Sequence, residues 1–97
     1  VRWHIVFGAM TDKDVARMIE MLAPRASGFT MVAADSERAM TPADLVALAA
    51  GCGVAPAAGG GGTVADGLAT ARATGEPVLV TGSIYVVGEA RRALGLA

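Results

Sequence analysis

Trp3-His4-Ile5-Val6-Phe7-Gly8-Ala9-Met10-Thr11-Asp12-Lys13-Asp14 is the stretch that decides the fold, because its character changes at Gly8. Trp3 to Phe7 is aromatic and β-branched, which suits a buried strand, and Gly8 bounds it. After the polar residues Thr11 to Asp14, Val15, Met18, Ile19 and Leu22 recur at helical spacing until Pro24 stops them. Working outward, Phe29-Thr30-Met31-Val32 predicts a second strand, followed by a polar loop through Asp35, Ser36 and Glu37. Thr41-Pro42-Ala43-Asp44 opens a helix carrying Leu45, Val46, Leu48 and Ala49, which Gly51 and Gly53 end. Val54-Ala55 reads as a short third strand. Thr63-Val64-Ala65-Asp66 starts a third helix with Val64, Leu68 and Ala71 on one face. Gly75-Glu76-Pro77 is a turn, Val78-Leu79-Val80 a short strand, and Gly82-Ser83 leads into a last helix from about Ile84 to Leu94.

The order β-α-β-α-β-α-β-α with short connections implies a parallel sheet covered by helices on both faces. The expected fold is therefore a three-layer α/β sandwich with a mostly parallel, Rossmann-like sheet and right-handed crossovers. Thr11/Asp14, Thr41/Asp44 and Thr63/Asp66 each read as Thr-x-x-Asp, a weaker form of the capping box, with Pro42 at a first helical position. Ligands of open parallel sheets sit beyond the carboxyl ends of the strands. Gly8 to Asp14 and Thr81-Gly82-Ser83 both fall at that edge.

Ninety-seven residues make one domain or part of one. With 54% apolar residues and 18% charged, the chain is too apolar for intrinsic disorder. Eight basic against nine acidic side chains exclude the electrostatic footprint of a nucleic-acid or anionic-membrane binder. Leu45 to Ala58, the nearest candidate for a membrane span, is broken by Gly51, Gly53 and Pro56. The single cysteine, Cys52, excludes an internal disulfide and points to a reducing compartment, hence a cytoplasmic location. The first residue is Val1, and no signal-peptide pattern follows; the chain reads as a piece of a longer protein.

Lys13 is the only lysine, against seven arginines, and is expected in the first turn of a helix just past a strand end. A cation there opposes the helix dipole. Either it handles an anion, or it is a solvated charge neutralised by Asp12 and Asp14. Ser83, between a buried strand and a helix start, offers a hydroxyl and free amides to a carboxylate or phosphate; a plain serine N-cap is the alternative. Tyr85 could present a phenol to the same edge but reads as packed.

The Gly59–Gly62 run lacks the lysine of a phosphate-binding loop and reads as a flexible connector. His4 has no visible acid, cysteine or histidine partner and reads as structural. Cys52 reads as buried and inert, and Arg91-Arg92 as complementing the end of the last helix.

Val6-Phe7-Gly8-Ala9-Met10-Thr11-Asp12-Lys13-Asp14 and Pro77-Val78-Leu79-Val80-Thr81-Gly82-Ser83-Ile84-Tyr85 together resemble the C-terminal domain of the folylpolyglutamate synthase/dihydrofolate synthase family, within the Mur ligase superfamily. The resemblance covers nearly the whole chain, 1–97, as a single C-terminal ligase domain. The family's Asp-Gly-Ala-His-Asn-Pro element is absent, leaving the chain short of the first strand and helix.

The resemblance implies an ATP-dependent acid–amino-acid ligase. A folate or dihydropteroate carboxylate is phosphorylated by ATP-Mg²⁺, and the amine of L-glutamate then displaces phosphate. It places ATP and Mg²⁺ mainly on an N-terminal ATPase domain of the same polypeptide, so this chain alone is expected to be inactive. Ser83 and Lys13 are then the glutamate-side residues, and Asp12, Asp14, Thr81, Gly82 and Tyr85 the cleft or nucleotide side, with no catalytic or metal-binding residue in this chain. Expected partners are that ATPase domain, L-glutamate and folate, with neither nucleic acid nor membrane. Surface left bare by the missing unit could support self-association. A Mur-type ligase of cell-wall precursors, or a flavodoxin- or receiver-like module, shares the alternation. A receiver, however, needs a lysine after the last strand, and Thr81-Gly82-Ser83 has none.

Overall fold

The computed structural model describes residues 2–53 and 57–96, with the backbone alone at 57–61. Eight principal elements alternate as expected. They are β1 (Trp3–Gly8), α1 (Val15–Leu22), β2 (Ala26–Ala33), α2 (Pro42–Gly51), β3 (Ala57–Thr63), α3 (Val64–Arg72), β4 (Val78–Gly82) and α4 (Ile84–Ala93). A single 3₁₀ turn, Ala23–Arg25, links α1 to β2 around Pro24. All strand pairs are parallel, in the order β3-β2-β1-β4.

Side-chain alternation along the strands sorts the core into two layers. On one face, Ile5, Phe7, Phe29 and Met31 pack under α1 and α2 through Val15, Ile19, Leu45 and Ala49. Phe7 and Phe29 meet edge to face at 6.4 Å between centroids, a favoured aromatic geometry. On the other face, Val6 and Val32 pack under α3 and α4 through Val64, Leu68, Ala71, Val86 and Ala90. These are the three layers of an α/β sandwich with a Rossmann-like parallel sheet.

The caps hold in part. Thr41 Oγ1 accepts from the Asp44 amide at 3.2 Å and Thr63 Oγ1 from the Asp66 amide at 3.1 Å. Thr11 does not cap α1; Asp14 does, accepting from the Arg17 amide at 3.4 Å. Lys13 therefore precedes the helix and does not sit in its first turn. Gly53, at φ +68°, takes the left-handed position after α2 expected of a glycine there.

The glycine run is not a connector. Gly59 to Gly62 lie within β3, where the main chain pairs with β2, as Met31 with Gly59 and Ala33 with Thr63, across a register shift. Backbone hydrogen bonds to a strand already buried make an edge strand without bulky side chains. The proposed strand at Val54-Ala55 lies outside the described residues.

Candidate functional site

β1 and β4 are neighbours, yet the helices that follow them leave on opposite faces of the sheet: α1 belongs to one core layer and α4 to the other. Such a divergence is the switch point at which parallel sheets open a crevice. A cleft of about 470 Å³ opens there. Its floor is Ala9, Met10 and Met18, and its walls carry Asp12, Lys13, Gly82, Ser83, Ile84 and Tyr85.

Gly82 is what lets the walls come together. It sits at φ +120°, and a Cβ there would lie 1.9 Å from the carbonyl oxygen of Gly8, its partner in β1. Only glycine fits that conformation and that approach. Ser83 follows as the N-cap of α4, its Oγ accepting from the Val86 amide at 3.1 Å. A hydroxyl used once as an acceptor still has its proton to donate. The first-turn amides of Ile84 and Tyr85 have no acceptor within the helix. Tyr85 is 58% exposed and Ile84 82%, so Tyr85 faces the cleft and solvent and is not packed as read.

Lys13 is exposed, and both acids expected to neutralise it are engaged elsewhere. Asp14 caps α1, and Asp12 Oδ2 meets Arg38 Nη2 at 2.5 Å. Among the described residues Lys13 has no ion-pair partner, so the cleft keeps a positive charge with nothing against it.

Sequence reasoning missed the third wall, Ser36 and Arg38 in the loop after β2. That loop is fastened along the β1–α1 loop. The Thr11 amide donates to the Arg38 carbonyl at 2.8 Å and the Met40 amide to the Ala9 carbonyl at 2.9 Å. The Asp35 amide donates to Glu89 of α4 at 2.8 Å, tying the loop to the other layer. β2 adjoins β1, so its carboxyl end opens on the same crevice, and Ser36 and Arg38 were legible only once the strand order was known. Of the residues singled out from the sequence, Asp14 and Thr81 do not line the cleft. Thr81 is within β4, paired with Phe7.

The other candidates lie apart. His4, at the amino end of β1, does have partners: Nε2 stands 2.7 Å from the hydroxyl of buried Thr30, and Nδ1 3.6 Å from Glu76. With Thr30 only 2% exposed, this trio serves to satisfy a buried hydroxyl and offers no reachable nucleophile. Cys52 is half-buried, its Sγ 3.8 Å from Glu20 Oε1. Burial first, and then the Glu20 charge, push its pKa above the ordinary thiol value, which disfavours the nucleophilic thiolate.

Among the described residues no group of three or more His, Cys, Asp or Glu side chains could hold a metal ion. No helix among the described residues is long and apolar enough to cross a membrane.

No protein-family model matches the chain, and no solved structure does. The chain is 42% identical over 91 residues to the probable bifunctional folylpolyglutamate synthase/dihydropteroate synthase of Haloferax volcanii. That alignment takes in 91% of this chain and 11% of the relative. The chain is thus similar, over nearly all its length, to one small segment of a much longer folate-related synthase.

Proposed function

We propose that this chain is the glutamate-seating, cleft-closing domain of an ATP-dependent amide ligase that adds L-glutamate to folate or dihydropteroate through an acyl phosphate. The observation that carries the reading is the unpaired Lys13 ammonium facing the same cleft as the Ser83 hydroxyl and the start of α4. A carboxylate placed there gains a charge-assisted contact from Lys13 and a hydrogen bond from Ser83. The α-carboxylate of glutamate so held would leave its amine to attack the acyl phosphate carbon. The new C–N bond forms as the C–O bond to phosphate breaks and the amine releases a proton. The contribution of this chain is positioning, with no acid–base step of its own.

In this reading ATP and Mg²⁺ are held mainly by an N-terminal ATPase domain of the same polypeptide. The similarity to a folylpolyglutamate-synthase-type protein favours folate over a cell-wall precursor as acceptor. The test is phosphate release by the full-length polypeptide given ATP and L-glutamate with either tetrahydrofolate or a muramoyl acceptor. Glutamate-dependent release with the folate alone is expected, and release with the muramoyl acceptor alone would overturn the reading.

A further inference from the structure

The cleft holds a second cation that the seat described above does not use. Arg38 reaches it from the β2–α2 loop, and its backbone is fixed on both sides: its amide donates to Ser36 Oγ at 3.3 Å and its carbonyl accepts from Thr11. Among the described residues the Arg38 guanidinium pairs with Asp12, and both side chains are well exposed, at 68% and 47%. An ion pair so exposed contributes little and exchanges readily. A guanidinium matches a carboxylate in two-point geometry, as an ammonium does not.

We propose that Arg38 reads the second, side-chain carboxylate of the incoming amino acid, with Asp12 holding the guanidinium until that carboxylate displaces it. The inference rests on the glutamate-seating function. It adds that the cleft selects a dicarboxylic amino acid, Lys13 and Ser83 taking one carboxylate and Arg38 the other. The cleft volume of about 470 Å³ leaves room for both ends of such a ligand. Asp12 is then a competitor and no part of the seat, so its removal should tighten binding.

The experiment is a titration of the isotope-labelled 97-residue chain with L-glutamate and, separately, L-glutamine, following the Ser83 amide and the Arg38 Nε–H by NMR. Both amino acids should move Ser83, glutamate alone should move Arg38, and glutamate should bind about tenfold more tightly. Arg38→Gln should erase that preference, and Asp12→Asn should strengthen glutamate binding; unchanged circular dichroism of both variants confirms the fold. Equal binding of the two amino acids with Arg38 unmoved, a preference that survives Arg38→Gln, or weaker glutamate binding by Asp12→Asn overturns the role of Arg38 alone. Failure of both amino acids to move the Ser83 amide overturns the seat as well.

Discussion

Lys13 and Ser83, far apart in the chain, face one cleft because β1 and β4 run side by side, with Gly8 paired to Gly82 where both strands end. The last strand does not extend the sheet beyond β3; it returns to the far side of β1. That return brings the loop after the first strand against the start of the last helix, and the cleft opens between them.

The pairing at Gly82 should be intolerant. Gly82→Ala adds a Cβ at a left-handed φ and against the Gly8 carbonyl, so we expect a loss of about 3 kcal/mol or more in urea unfolding. Gly51→Ala, at the end of α2 with nothing within 4 Å, should be neutral or gain about 0.5 kcal/mol. Equal tolerance at the two positions would contradict the close approach of β4 to β1.

The caps make a second contrast. Thr41→Ala and Thr63→Ala each remove an acceptor for a helix amide and should cost about 1 kcal/mol. Thr11→Ala removes no such contact and should stay within about 0.5 kcal/mol of the parent. Denaturation midpoints of the three variants decide it; a loss at Thr11 equal to that at Thr41 would restore Thr11 as a cap.

Cys52 should alkylate slowly. Burial and the neighbouring Glu20 raise its folded pKa above the unfolded one, so the thiolate forms at higher pH than in an unhindered thiol. The linked stability is present below the unfolded thiol pKa and is lost as pH rises through the folded value. The iodoacetamide rate profile of the folded chain should therefore be displaced to higher pH, and Glu20→Gln should bring it part of the way back. A profile matching free cysteine would contradict this environment for the thiol.

Much of the architecture was legible because hydrophobic periodicity and punctuation agree. Pro24, Thr41-Pro42, Thr63 and Ser83 mark boundaries that the structure keeps, and the apolar runs at Ile5–Phe7 and Phe29–Val32 are buried on both faces. What failed was local reasoning where tertiary contacts decide. Gly59 to Gly62 have poor strand propensity, yet the hydrogen bonds offered by β2 recruit their backbone. Asp14 displaced Thr11 as cap because the main chain of Thr11 is drawn into the antiparallel bridge between Met10 and Ala39 and their neighbours. Arg38 and the His4–Thr30–Glu76 contacts depend on strand order, which no single stretch encodes.

The most direct measurement is the glutamate KM of the full-length polypeptide, in the ligase assay of the proposed function, carrying Lys13→Gln or Ser83→Ala, with Ser83→Thr as the control that keeps the hydroxyl. Each loss of a contact to a charged carboxylate should raise KM about tenfold or more, with much less change in kcat, and threonine should restore most of it. A glutamate KM unmoved by both substitutions would contradict the claim that these two groups seat the amino acid.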